Sequence, residues 1–268
     1  MAVRPAVRVD LAPNAIAAGM SNEPAGTHTS RTIMLDELGS LLASCHPDAT
    51  YEEYAEAVVK TNVLGKATLA TRKKSLRHLR EMYALRADVP VFASMRSLWW
   101  DDIASRPLLA VLCAAARDPL LRATAEVVID APARSHVGAT DLADAVETAF
   151  PYRFATGVRA RIGRNAASSW TQSGHLRGRT NKVRTQAQAT PAAAAYALYL
   201  GHLAGETGSA LFRTIWSRLL DEPEGQVRDL AAGASRLGWI TYRSAAAMTE
   251  VTFRHLDSTA GDRTEVFA

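Results

Sequence analysis

The side chains best suited to bind another molecule lie in residues 152–174, where basic and apolar residues are interleaved. The apolar residues recur every four positions, which predicts an amphipathic helix with one buried face. That face consists of Phe154, Val158, Ile162, Ala166 and Trp170. Another side carries Arg161, Arg164, Asn165 and Ser168, with Arg159 near its edge. Guanidinium, amide and hydroxyl groups bond phosphates and base edges, so the segment is a candidate nucleic-acid-binding helix.

A basic, polar loop follows this helix at residues 175–184. Its basic side chains are Arg177, Arg179, Lys182 and Arg184. The loop comes after a helix at residues 141–149 and the arginine helix. This is the order of a helix-turn-helix with a wing, in which the second helix is the recognition helix and the wing is the loop beside it. The alternative is a solvated amphipathic helix whose arginine stems cover apolar surface.

A second basic helix is predicted at residues 67–85, with leucines on one side and lysine and arginine on the other. Lys73, Lys74 and Arg77 are its candidate phosphate ligands. Basic helix faces are often only solvated, so this is a secondary patch.

Charge is distributed unevenly along the 268 residues, although the formal net charge is only +4. Residues 148–205 contain eight basic residues and no acidic one, and residues 60–86 contain eight basic residues and one acidic residue. The rest of the chain holds 15 basic and 26 acidic residues. Such polarisation indicates an anionic partner, most commonly nucleic acid.

The sequence offers little for catalysis or metal binding. No histidine lies in a zinc-protease pattern, no Ser/His/Asp arrangement is visible, and Cys45 and Cys113 cannot form a disulfide framework. We therefore expect no catalytic residue, metal, cofactor or small-molecule substrate. No window has the roughly 18 apolar residues of a membrane helix, and no secretory signal is evident, so we expect a cytoplasmic protein without a membrane partner.

Periodicity is helical almost throughout, with one clear hairpin candidate at residues 239–253. The predicted fold is all-α, with small β-hairpin wings and two helix-turn-helix or winged-helix-like subdomains. The expected organisation is a disordered tail at 1–27, a helical subdomain at 28–130, a second at 139–256 and a flexible tail at 257–268. The closing helix, residues 226–237, has only Arg228 and Arg236 against Asp229, and Asp221, Glu222 and Glu224 precede it. This balance favours a protein-contact or structural role for that unit.

Four segments resemble the BrxA family of BREX bacteriophage-exclusion systems, over about residues 32–256. They are KTNVLGKATLATRKKSLRHLR (60–80), LLAVLCAAARDPLLR (108–122), SSWTQSG (168–174) and the closing Gly238 with its hairpin. The resemblance implies a small, helical, non-enzymatic DNA-binding component of a phage-defence system. It carries no signature catalytic residues, and the family's former label as inner-membrane proteins finds no support in this hydropathy.

The function expected from the sequence is that of an accessory protein that binds double-stranded DNA mainly through phosphates. One alternative is an adaptor whose basic surfaces meet acidic proteins of the same defence system. Another is a helix-turn-helix transcriptional regulator, which would be a symmetric dimer on two half-sites.

Overall fold

Helices dominate the computed structural model, which describes residues 11–24, 26–245 and 248–261. The α-helices are α1 (Pro13–Ala17), α2 (Leu35–Ala43), α3 (Tyr51–Glu56), α4 (Leu69–Tyr83), α5 (Pro90–Leu98), α6 (Arg106–Arg117), α7 (Pro119–Arg122), α8 (Ala125–Ile129), α9 (Ala139–Ala149), α10 (Thr156–Gln172), α11 (Pro191–Leu203), α12 (Ile215–Arg218), α13 (Glu224–Arg236) and α14 (Arg254–Gly261). The strands are β1 (Leu176–Arg177), β2 (Val183–Arg184), β3 (Thr241–Ala245) and β4 (Met248–Thr252). The prediction of a mostly helical chain with small hairpins is confirmed.

Helix starts follow local signals in the sequence. Thr50 Oγ1 accepts from the Glu53 amide and Glu53 Oε2 accepts from the Thr50 amide, and this reciprocal pair is a capping box before α3. Helices α5, α6, α7 and α11 have proline in the first turn, where its missing amide proton costs nothing.

Helix α11 lies at the centre of the molecule. Every residue from Ala192 to Gly201 is buried, and the helix contacts α5, α6, α12 and α13. Its small alanines allow these neighbours to approach closely, while the Tyr196 hydroxyl donates to the Val91 carbonyl at 2.8 Å. A helix that is apolar on all sides belongs inside a core rather than at its surface.

The two predicted subdomains, 28–130 and 139–256, share one hydrophobic core. A single cluster of buried side chains extends from Ala15 to Leu256 and includes residues of both segments. The linker expected between them is itself structured, because residues 134–137 pair with β2 through the His136–Val183 bridge. The hydrophobic core is therefore continuous across the boundary between the two predicted subdomains.

The expected tails also differ from the structure where it describes them. Ala15 and Met20 are buried, and the Ser21 amide donates to the Ala116 carbonyl, so residues 11–24 pack as part of the fold instead of forming a tail. At the other end, α14 packs against α5 and continues to Gly261. The remainder of the predicted tails, 1–10 and 262–268, lies outside the described residues.

The two hairpins are antiparallel. In the first, Leu176 faces Arg184 and Arg177 faces Val183, and in the second, Thr241 faces Thr252. In the part of the chain that the structure describes, every helix is too short or too polar to span a bilayer.

Candidate nucleic-acid interface

Helix α10 is held firmly by its apolar face. Ile162, Ala166 and Trp170 are fully buried, as their spacing predicts, and the Trp170 indole donates to Thr124 Oγ1 at 2.8 Å. A Cβ atom at Gly163 would lie 2.1 Å from the Ala139 carbonyl oxygen, so glycine is required where α10 crosses α9. These contacts fix the position of α10 and therefore of the side chains on its opposite side.

Arg161 and Arg164 project from that opposite side into solvent. Neither guanidinium pairs with a carboxylate of the described residues. Ser168 lies on the same side, one turn further on, and its hydroxyl donates to the Arg164 carbonyl at 3.1 Å. The two arginines are therefore available to an external anion.

Two residues of the predicted set bind within the protein instead. Arg159 donates to Glu147 Oε2 at 2.6 Å, and the Asn165 amide donates to the His28 carbonyl at 2.8 Å. Both side chains are partly buried. Arg159 is neutralised and Asn165 is committed to tethering the N-terminal segment.

The basic loop after α10 forms the β1–β2 hairpin. Residues 134–137 pair with β2 as a third extended segment. The Val137 amide donates to the Lys182 carbonyl at 3.0 Å beside the His136–Val183 bridge. Gly178 has φ +111°, and a Cβ there would lie 2.2 Å from the Asn181 carbonyl oxygen, so only glycine fits this turn. Arg177 and Arg179 are exposed at the tip.

The placement of Lys182 and Arg184 differs from the prediction that they contact DNA, because both side chains are buried. Lys182 is 9% exposed and donates from Nζ to Thr171 Oγ1 at 2.8 Å; burial lowers the pKa of its ammonium group. Arg184 is 6% exposed and pairs with Asp221 at 2.8 Å. Residues two apart in a strand face the same way, and here they face inward. Both act as internal anchors of the hairpin.

The Lys182 anchor places the hairpin on the same side of α10 as the exposed arginines. Thr171 lies seven residues after Arg164, and seven residues return to nearly the same angle around an α-helix, within about 20°. We call the resulting surface the arginine face. It consists of Arg161, Arg164, Ser168, Arg177 and Arg179.

The secondary patch lies on a different helix, α4. Lys73 and Lys74 are exposed, while Arg77 Nε lies 3.6 Å from Glu81 Oε1. Residues 27–28 lie between helices α4 and α10. Thr27 Oγ1 donates to the His78 carbonyl of α4, and the His28 ring hydrogen-bonds to a residue of α10.

A hydrogen-bonded chain of buried polar groups joins His28, Asp118 and Ser169. The sequence patterns did not predict this chain. The His28 ring lies 2.8 Å from Asp118 Oδ2 through Nδ1 and 2.8 Å from Ser169 Oγ through Nε2. Burial raises the pKa of Asp118, but the charge of His28 and hydrogen bonds from His28 and Leu120 outweigh it and leave that pKa below its usual value.

The order of these groups is that of a Ser–His–Asp triad, yet all three side chains are buried. Ser169 Oγ also accepts from the Ile33 amide at 3.0 Å and donates to the Asn165 carbonyl at 2.9 Å. The serine is thus occupied and out of reach of a substrate, and its contacts fasten the N-terminal segment to α10. No signal in the sequence links residues 141 positions apart.

No protein-family model matches this sequence, and no curated protein is significantly similar to it. The resemblance to the BrxA family therefore stays a prediction from the four quoted segments.

Proposed function

We propose that the protein binds double-stranded DNA, mainly through phosphates, on the arginine face. One observation carries this proposal: four exposed arginines share one side of a fixed helix and hairpin. None of the four has a carboxylate partner among the described residues, and they lie in a stretch of 58 residues without an acidic side chain. Unpaired guanidinium groups in such a stretch favour phosphate contacts over a merely solvated surface.

The element order around the arginine face supports a winged helix-turn-helix. An extended segment (134–137), α9, α10 and the β1–β2 hairpin follow one another, and the first segment pairs with the last strand. In this interpretation α10 is the recognition helix and the hairpin is the wing. The connection between α9 and α10 has six residues, against the usual three or four of a helix-turn-helix.

A similar order recurs at the C-terminal end, where a 3₁₀ turn replaces the extended segment. Residues 208–213 contact β4, and α12, α13, β3 and β4 follow. The exposed side of α13 includes Asp229, and Arg228 is neutralised by Glu224 at 2.7 Å. This second unit lacks the charge for DNA, so we assign it to protein contact or to the structure itself.

The resemblance to BrxA suggests the biological setting. In that setting the chain is a cytoplasmic, non-enzymatic accessory protein of a BREX-type phage-defence system, with DNA and other proteins of the system as partners. The exposed Lys73 and Lys74 on α4 supply the secondary contact to DNA.

The salt dependence of duplex binding tests the proposal. We expect the logarithm of the affinity to fall linearly with the logarithm of salt concentration, with a slope of about −4 if four arginines neutralise phosphates. Binding of acidic partner proteins without any affinity for duplex DNA would favour the adaptor instead. A dimer with strong preference for one palindromic sequence would favour the transcriptional regulator.

A further inference from the structure

A surface cavity lies between α2 and the connection from α5 to α6. Its volume is about 350 Å³, at the small end of the range for ligand sites. Residues of α2 form one wall, and residues of the α5–α6 connection and the first turn of α6 form the other. The walls include Leu35, Asp36, Gly39, Trp99, Ile103 and Arg106. None of these residues belongs to the arginine face.

Gly39 keeps the α2 wall of the cavity free of a side chain. It is the middle residue of α2, where glycine destabilises a helix relative to alanine. A Cβ atom there would lie 4.0 Å from Trp99 Cζ2, an ordinary van der Waals contact, and the φ of Gly39 is not positive. Neither packing nor backbone geometry therefore requires glycine at this position. Its effect is to leave space for a bound molecule.

The indole of Trp99, on the opposite wall, has a hydrogen-bond donor without an acceptor. Trp99 is 1% exposed, and its Nε1 bonds to none of the described residues. The ring atom that a side chain at Gly39 would meet, Cζ2, is two bonds from Nε1, so this edge of the ring faces the α2 wall. Buried donors are normally satisfied. An acceptor oxygen in the cavity would supply the missing partner.

The two walls carry opposite charges. Arg106 donates from Nε to the Trp99 carbonyl at 3.1 Å, and its guanidinium lies 5.5 and 5.6 Å from the ring centroids of Trp99 and Trp100. Asp36 is exposed on the other wall. Neither charge is paired with any residue that the structure describes. Arg106 also begins α6, where the helix dipole disfavours a cation and would favour an anion bound beside it.

We propose that this cavity binds a free α-amino acid with an aliphatic side chain. The Arg106 guanidinium binds the carboxylate and Asp36 binds the ammonium group. Leu35 and Ile103 supply apolar contact, and Ile103 is 71% exposed while the cavity is empty. A ligand with only one charge leaves the opposite wall unpaired. A protein C-terminus, which brings a carboxylate without an ammonium group, is therefore a poorer match.

Isothermal titration calorimetry of the full chain with three related compounds tests this proposal. We expect L-leucine to bind with a dissociation constant of about 1 mM or below. Leucinamide lacks the carboxylate and N-acetyl-leucine lacks the ammonium group. Each should bind at least about tenfold more weakly than leucine, because each loses one of the two charge pairs.

Two pairs of variants locate the binding. Asp36→Asn weakens leucine at least about tenfold and leaves N-acetyl-leucine unaffected, whereas Asp101→Asn, at an exposed acid outside the cavity, changes neither. Gly39→Leu fills the cavity and abolishes leucine binding. Gly225→Leu, at an exposed helical glycine with nothing within 4 Å, leaves binding unchanged. Thermal unfolding of the two leucine variants checks that both are folded.

The indole ¹H–¹⁵N resonance of Trp99 gives an independent readout and is assigned by its loss in Trp99→Phe. We expect leucine to shift this resonance and leucinamide to leave it in place. Absence of leucine binding up to about 10 mM, or binding that survives Gly39→Leu, overturns the proposal. Equal affinity for leucine and N-acetyl-leucine overturns it in favour of a peptide C-terminus. Duplex affinity does not enter these measurements, so their failure leaves the proposed function standing.

Discussion

Lys182 donates a hydrogen bond from Nζ to Thr171 Oγ1 at 2.8 Å and thereby fastens the β1–β2 hairpin to α10. A lysine in a basic loop is expected to bind phosphate, but the Lys182 ammonium group binds a side chain of the protein itself. Its contact gives the hairpin a fixed orientation, so Arg177 and Arg179 extend the surface that Arg161 and Arg164 begin. The role proposed for the hairpin therefore depends on a basic residue whose own side chain is buried.

Substitutions in the hairpin should separate anchoring from direct contact. Arg179→Gln removes a proposed phosphate ligand, so we expect the salt slope of duplex binding to become shallower by about one. Lys182→Gln removes an internal anchor, so the slope should stay unchanged while hydrogen exchange of the hairpin amides becomes faster. Salt titrations of both variants make this comparison. A slope reduced equally by Lys182→Gln would place that ammonium group on the phosphate backbone.

The structural role of the buried polar chain can be tested at two adjacent serines. Ser169→Ala leaves the buried Ile33 amide and Nε2 of the His28 ring without a partner, so we expect the free energy of unfolding to fall by about 2 kcal/mol. Ser168→Ala removes only a bond to the Arg164 carbonyl and should change it by less than about 0.5 kcal/mol. Urea unfolding of the two variants measures both values. Equal stabilities would show that Ser169 anchors nothing.

His175 should make stability depend on pH. It is fully buried between the Ser173 hydroxyl and the Leu219 carbonyl, and burial lowers its pKa to about 4; Asp221 opposes this shift and Arg184 adds to it. The unfolded chain, with a histidine pKa of about 6.5, binds more protons than the folded one as pH falls below that value. Stability is therefore complete above about pH 6.5 and is lost as pH falls towards about pH 4.

We expect the free energy of unfolding to be about 2 kcal/mol lower at about pH 5 than at about pH 7.5 because of this group. Urea unfolding at the two pH values measures the difference. His175→Gln has no proton to gain in this range, so its pH dependence should be weaker by that amount. The same pH dependence in both proteins would exclude His175 as its source.

Local rules in the sequence account for most of the helices. The Thr50–Glu53 capping box and the alanine-rich run after Pro191 place α3 and α11 because their signals lie within a few residues. The segment at 206–220 behaves differently: Thr214 caps a separate short helix, so this segment forms a 3₁₀ turn and α12 instead of one continuous helix.

The candidate site is less predictable than the helices because exposure depends on tertiary packing. Helical spacing places Arg161 and Arg164 opposite the apolar face, and both are exposed. Lys182 and Arg184 are buried because a short strand, which the sequence analysis treated as a loop, turns both inward. The His28–Asp118–Ser169 chain depends on three segments that meet only in the folded molecule.

The measurement that tests DNA binding by the arginine face most directly is duplex affinity after charge reversal on α10. Arg161→Glu with Arg164→Glu is compared with Arg213→Glu plus Arg236→Glu, which reverses two exposed arginines elsewhere and changes the net charge equally. At about 100 mM salt we predict a loss of at least about tenfold for the α10 pair and less than about threefold for the control pair. Both variants should keep the helical circular-dichroism spectrum. Unchanged affinity of the α10 pair, or an equal loss in both pairs, would contradict the assignment of DNA binding to this face.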